Sequence, residues 1–146
     1  MISIFPLKRV TKEALTDINN LLPQLSAQAK LFSFEELQGM IKQKHLLILV
    51  AKEENRTVGM GQLVLLRKSL GFCAMIEDVI VDEKWRGKGI GTAVMEKLIA
   101  AARAKQVNYI DLTSRPERKE ANEFYKKLGF EKRNTNVYRL QLTTNN

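Results

Sequence analysis

Apolar residues recur along this chain at two spacings, and the switches between them mark its elements. Residues 2–7 read as a first strand in which Pro6, unable to donate to a ladder, is tolerable only near the end or on an edge. Residues 11–22 change to helical spacing: Thr11 is placed to cap, Ala14, Leu15, Ile18 and Leu21 or Leu22 form one stripe, and Pro23 follows the stop. Ser33-Phe34-Glu35-Glu36 fits a capping box and opens a second helix through Leu37, Met40 and Ile41, with Lys42 and Lys44 at its C-terminal dipole. Residues 46–51 are a continuous apolar run, hence a fully buried strand, which Glu54-Asn55-Arg56 turns into a second strand over 57–66. Gly59 and Gly61 inside that second strand predict a bulge or a close backbone approach. After a turn at 68–71, the central strand ends in the β-branched triplet Val79, Ile80 and Val81.

Ile90, Val94, Leu98 and Ala102 then share one face of a helix, and residues 109–113 form a strand parallel to the central one by right-handed crossover. Ser114-Arg115-Pro116-Glu117 offers a capping box to a short last helix, which Gly129 ends as its C′ residue. Residues 130–133 and 136–142 predict an antiparallel pair that closes the sheet, and residues 143–146 a polar tail that frays. The order is strand, two helices, three strands, helix, strand, helix, two strands: an α/β domain with a mixed sheet of about seven strands and about four helices. No internal repeat or low-complexity segment divides the chain, and 146 residues are enough for one core in a single domain over 1–146.

Composition narrows the chemistry. A content of 45% hydrophobic and 27% charged residues is ordinary for a soluble globular protein. The longest apolar stretch, residues 46–51, is too short to span a bilayer, and Met1-Ile2-Ser3-Ile4-Phe5-Pro6 carries no basic leader, so a cytoplasmic protein with no membrane partner is expected. One cysteine, Cys73, and one histidine, His45, allow no internal disulfide, no plausible zinc site and no Ser-His-Asp or Cys-His device. Both read as structural residues, no metal is expected, and chemistry must run on carboxylates, tyrosine and backbone groups. The net charge of +8 is spread along the chain without a basic block, which disfavours nucleic acid and suits a positive field around a polyanionic ligand.

That ligand has an obvious seat. Arg86-Gly87-Lys88-Gly89-Ile90-Gly91-Thr92 joins the central strand to its helix through a glycine-rich corner. Such a corner presents free backbone N–H groups at the positive end of the helix dipole, glycine lets a ligand come close, and Arg86 and Lys88 add charge; a phosphate or pyrophosphate is the natural guest. The spacing is not that of a Walker loop, and a dinucleotide fingerprint would need glycine at Thr92, although Asp111 sits about where a ribose-binding acid would be expected.

Arg86-x-x-Gly89-x-Gly91 after a Val-rich strand does resemble the acetyl-coenzyme A signature of the GNAT superfamily of N-acetyltransferases, Arg/Gln-x-x-Gly-x-Gly/Ala. A second block, Glu120-Ala121-Asn122-Glu123-Phe124-Tyr125-Lys126-Lys127-Leu128-Gly129-Phe130, resembles the superfamily's later motif, in which an Asn and a Tyr on a short helix reach the cofactor. The blocks stand in the family's order and at its distance, and the resemblance covers roughly residues 46–130; the N-terminal third matches only in its sequence of elements. It implies a GNAT-type mixed, mostly antiparallel sheet with a parallel central strand pair, acetyl-CoA as co-substrate, and an acyltransferase. It implies cofactor binding by Val79, Ile80, Val81, Arg86, Gly87, Lys88, Gly89, Ile90, Gly91, Thr92 and Asn122, and makes Tyr125 the general acid toward the departing thiolate. Packing is a second role for Tyr125, which with Gly129 at C′ is the C3 residue facing Phe130 in a Schellman end. Dimers are common in such a family, so a homodimer is a further expectation.

Acetyl transfer to an amine needs the amine uncharged, and a base must take its proton. Glu77 is the preferred base, directly or through water, because it lies two residues before the segment that would hold the acetyl and pantetheine, as in GNAT enzymes with a Glu-Asp pair here, the glucosamine-6-phosphate acetyltransferases among them. Period two places Glu77 on the face of Val79 and Val81 with Asp78 opposite. Asp78 is the alternative base, and a solvated or salt-bridged carboxylate the non-catalytic reading of Glu77. A backbone N–H near Val79 would meet the oxyanion. The expected function is direct transfer to a primary amine of a small molecule, an amino sugar, polyamine or amino acid-like compound; a protein or peptide N-acetyltransferase and a non-catalytic acyl-CoA sensor are the alternatives. Phe32 and Phe34 are candidates for the acceptor pocket or for the core.

Overall fold

The computed structural model describes residues 1–143, so the fraying expected of residues 144–146 lies outside the described residues. The elements are β1 (Ile2–Pro6), α1 (Lys12–Leu25), α2 (Phe34–Ile41), β2 (Leu46–Glu53), β3 (Arg56–Lys68), β4 (Gly71–Val81), a 3₁₀ turn (Glu83–Trp85), α3 (Ile90–Ala104), β5 (Tyr109–Asp111) and α4 (Lys119–Lys127). They form two compact units, Met1–Asp111 and the residues from Leu112 onward.

In the first unit the strands lie in chain order, β1-β2-β3-β4-β5, antiparallel except for the β4–β5 pair, which is parallel. The two hairpins make consecutive strands neighbours, and the α3 crossover makes the last pair parallel. Pro6 ends the edge strand. Thr11 caps α1, its side chain accepting from the Ala14 amide at 3.1 Å, and Ser33 and Glu36 form the reciprocal capping box of α2. α1 runs on through Pro23 to Leu25 rather than stopping at 22. In a last turn proline keeps a helical φ and removes only one amide bond, so the helix continues.

Strand parity divides the apolar residues between two faces. Ile48, Val50, Met60 and Ile80 join Ile18, Leu21, Leu22 and Leu37 of α1 and α2 in one core, with Phe32 packed against it. The opposite face meets α3 at two glycines. A Cβ on Gly61 would lie 2.9 Å from both Val94 and Leu98, and one on Gly59 would lie 3.2 Å from the Ile80 carbonyl oxygen and 3.4 Å from Ile90. The helix therefore sits directly on the backbone of β3, the close approach that the glycines predicted.

The predicted bulge is also present, on the partner strand. Gln62 pairs with Glu77 and Met60 with Ile80, so two steps along β3 match three along β4, and Asp78 and Val79 together face Gly61. Asp78 takes the extra turn at φ 51°, a left-handed conformation that aspartate tolerates better than most side chains.

In the second unit, α4 ends as expected. Gly129 has φ 102°, its amide donates to the Lys126 carbonyl at 3.0 Å, and the Phe130 amide donates to the Tyr125 carbonyl at 3.0 Å, the Schellman pattern. Its start differs: α4 opens at Lys119 after Arg118, and no capping box forms at Ser114. Instead the Asn122 side chain reaches back from the first turn, Nδ2 donating to the carbonyls of Arg115 and Arg118 at 2.9 and 2.8 Å.

The sheet has five strands, not about seven. Among the described residues neither 130–133 nor 136–142 forms a strand, and β5 stops at Asp111 instead of 113. The period-two pattern at the C-terminal end is real, but Val137, Tyr138, Leu140 and Leu142 are 77–87% exposed. A lone two-stranded pair is marginal in water without a third strand or a helix to cover its apolar side, and that cover is what the second unit's own residues do not supply.

The packing of α3 on bare backbone gives a pair of opposite predictions. Gly61→Ala should destabilise the chain by about 1–3 kcal/mol through overpacking. Gly39→Ala, inside α2 with nothing within 4 Å, should stabilise by about 0.5–1 kcal/mol through helix propensity. Urea unfolding of both variants checks this, and equal effects would contradict the packing described.

Candidate active site

The site starts where β4 ends. Asp82 is buried, its amide donates to the Val58 carbonyl at 2.9 Å, its Oδ1 accepts from the Lys84 amide at 3.1 Å, and its Oδ2 lies 3.7 Å from the Arg56 guanidinium. The Glu83 amide donates to the Gln24 side chain at 2.9 Å. These bonds hold the 3₁₀ turn as a fixed bracket, and the chain leaves it at Arg86. The Arg86 side chain is fixed as well, its Nε donating to the Val81 carbonyl at 2.9 Å, while Lys88 Nζ rests 5.0 Å from the centre of the Trp85 ring.

Beyond the bracket, Gly87 and Gly89 take φ values of 79° and 82°, and Gly89 is the N-cap of α3. Neither is crowded, since an added Cβ would meet nothing within 4 Å, so the demand for glycine there is conformational rather than steric. Ile90 is buried and seats the helix end, leaving residues 86–89 exposed. Among the described residues, the amides of Gly87, Lys88, Gly89, Ile90, Gly91 and Thr92 donate no hydrogen bond. Six adjacent unused donors at the positive end of a 15-residue helix form an anion seat.

The bulge rearranges the two carboxylates upstream. Residues directly paired across strands share a face. Glu77 therefore lies with Gln62 and Ile48 on the face of α1 and α2. Val79 lies on the α3 face, its Cγ2 3.4 Å from a Cβ on Gly61, and Val81 pairs with Gly59 on that same face. This corrects the expectation that Glu77 shares a face with Val79 and Val81: the extra residue at Asp78 shifts the alternation by one. Ile80 is 4% exposed in the core, so only its backbone is available to a ligand. Glu77 and Asp78 are both exposed, and partial withdrawal from water raises the Asp78 carboxyl above its usual value.

The remaining candidates lie in varied surroundings. Cys73 is fully buried, and His45 is exposed, its carbonyl accepting from the Leu65 amide at 2.7 Å. Phe32 packs on the core with its backbone bonded to the Asn19 amide side chain, whereas Phe34 is 39% exposed. In the second unit, Asn122 commits Nδ2 to the start of α4 and Tyr125 packs edge-on to Phe130 with ring centres 6.2 Å apart. One polar residue escaped the sequence reading: Gln62, 6% exposed beside Glu77. Its signal was an amide set among Met60, Gly61, Leu63 and Val64, where every neighbour is apolar or glycine.

A mixed sheet whose bulged strand runs into a helix N-terminus lined with unused amides defines an α/β protein with donors suited to an anionic ligand at a strand-to-helix corner. The sequence model of the Acetyltransferase (GNAT) family matches residues 13–130, and the chain belongs to that family. An uncharacterised N-acetyltransferase of Methanocaldococcus jannaschii is 43% identical over 60 residues, which is 41% of this chain and 26% of that protein, so this chain spans about a quarter of that relative. Glucosamine 6-phosphate N-acetyltransferase 1 of Oryza sativa subsp. japonica is 29% identical over 118 residues, 79% of this chain and 70% of that one. Among solved structures, an acetyltransferase of Trypanosoma brucei superposes with a TM-score of 0.80 at 26% identity, over 97% of this chain and 100% of that one.

The raised Asp78 carboxyl has a sign that can be tested. A carboxyl that holds its proton more tightly when folded favours folding at low pH and loses that contribution as pH rises through the folded value. Asparagine also tolerates the left-handed backbone but carries no charge. Asp78→Asn should therefore raise Tm at neutral pH, with the gain vanishing below a pH of about 3. A lower Tm at neutral pH would show that the charge is stabilising.

Proposed function

We propose that this chain is an acetyl-CoA-dependent N-acetyltransferase that passes the acetyl group directly to a primary amine of a small molecule. The observation that carries the proposal is the row of unused amides from Gly87 to Thr92, whose N–H groups suit the diphosphate of a coenzyme A thioester. Arg86, fixed to the Val81 carbonyl, and Lys88 add positive charge beside it. When bound, the thioester supplies the activated acetyl carbon.

The chain's own groups do the rest. Glu77 takes the proton from the incoming ammonium, directly or through water, which frees the nitrogen lone pair. At the bulge, Asp78 and Val79 have no register partner on β3, and a backbone N–H there faces the charge that develops on the carbonyl oxygen. Tyr125 gives its phenolic proton to the sulfur; the support for this role is the sequence block from 120 to 130, and the ring contact with Phe130 is compatible with it. For the acceptor, similarity to the rice glucosamine 6-phosphate N-acetyltransferase supports a phosphorylated amino sugar. The net charge of +8 agrees with an anionic acceptor.

Calorimetry should show acetyl-CoA binding, and no binding at millimolar concentration would remove the proposal. Release of coenzyme A thiol across an amine panel should then identify the acceptor. On that acceptor, Tyr125→Phe should lower kcat about 10²-fold with little change in acetyl-CoA affinity; an unchanged kcat takes Tyr125 out of the mechanism. Glu77→Gln should lower the rate most at low pH, where the amine is mainly protonated, and an unaltered pH profile takes Glu77 out of it.

A further inference from the structure

On the sheet face that carries Glu77, one polar row interrupts an apolar stretch. Val50, Met60 and Ile80 form the row on one side and Leu46, Val64 and Met75 the row on the other; between them run Ile48, Gln62 and Glu77. Gln62 is only 6% exposed, and among the described residues no group takes its side-chain amide in a hydrogen bond. Burying an amide without a partner is unfavourable, and methionine would fill the same space without that penalty. The amide is also not among the fully enclosed unpartnered atoms, which are Thr57 Oγ1 and Ser114 Oγ, so its tip opens onto accessible space.

Directly opposed residues on paired strands have Cβ atoms about 4.5–5.5 Å apart. One small nitrogen can therefore touch both the Gln62 amide oxygen and the Glu77 carboxylate. We infer that Gln62 binds and orients the acceptor: its amide oxygen accepts an N–H of the primary amine while Glu77 takes a proton from the same nitrogen. This inference rests on the proposed acetyl transfer and adds a selection rule to it. A primary ammonium carries three N–H bonds. One proton goes to Glu77 before attack, the nitrogen bonds to the acetyl carbon as the carbon–sulfur bond breaks and the sulfur takes the Tyr125 proton, and a second nitrogen proton leaves to water as the amide forms. One N–H remains throughout for Gln62. A secondary amine loses its last N–H in the same sequence, so Gln62 favours primary amines over their N-methyl counterparts.

The test uses the full chain with acetyl-CoA and a panel of glucosamine 6-phosphate, spermidine and glycine, each beside its N-methyl counterpart. Gln62→Met matches the side chain in length and removes the polar atoms, whereas Gln62→Glu keeps an oxygen at the same reach; thermal melting confirms that each variant is folded. Gln62→Met should raise the KM for the primary amine about tenfold, the loss of one hydrogen bond, leave the KM for acetyl-CoA unchanged and erase the preference over the N-methyl amine. Gln62→Glu should recover part of the amine KM. An unchanged amine KM and preference in folded Gln62→Met overturns the inference while leaving acetyl transfer intact. A wild-type chain that binds acetyl-CoA and acetylates none of the panel's amines overturns both.

Discussion

The close seating of α3 on the backbone of β3 is the constraint on which the rest of the site depends. Gly61 stands where a side chain would collide with Val94 and Leu98, and Gly59 where one would crowd the Ile80 carbonyl oxygen and touch Ile90. Their absence of side chains brings the helix axis in toward the sheet, and with it the N-terminal turn whose amides carry no bond. Opposite Gly61, the neighbouring strand takes an extra residue. Helix approach and strand bulge thus meet at one point of β3, and the anion seat and the upstream carboxylates are placed together by it.

Two kinds of polar supply result, and they differ in how they are held. The corner from Gly87 to Thr92 is made of main chain, fixed upstream by the buried Asp82 and from within by the buried Ile90. It costs no side-chain entropy to present and is insensitive to pH, as a seat for a polyanion should be. The row of Gln62 and Glu77 is made of side chains on the opposite face of the sheet, where the bulge sends them. In the proposed reaction, an acyl donor held by backbone and an acceptor nitrogen met by side chains would let acceptor preference change without disturbing the donor seat.

Much of this was legible in the sequence because it is local. The caps at Thr11 and Ser33, the Schellman end at Gly129 and the strand-to-helix corner each follow from residue types at short spacing, and each is present. What escaped depended on partners distant in the chain. Period two assigned Glu77 to the wrong face because a bulge is a property of the pair, set by β3 against β4, and Asp78 carries no unambiguous mark of a left-handed turn. The alternation at 136–142 predicted a strand because alternation records what a segment could bury, not whether a partner is there. Gln62 passed unremarked for a related reason: a lone amide in an apolar run gains meaning only once its cross-strand neighbour is known to be a carboxylate.

The claim at the centre is that the backbone from Gly87 to Thr92 grips a diphosphate. Amide resonances of ¹⁵N-labelled protein, followed during titration with coenzyme A, report on those donors individually. The six amides are expected to move in a single saturating transition that weakens with added salt, with the same response to desulfo-coenzyme A, which retains the diphosphate, and a much smaller one to adenosine, which lacks it. A titration that saturates elsewhere and leaves those six resonances unmoved would contradict it.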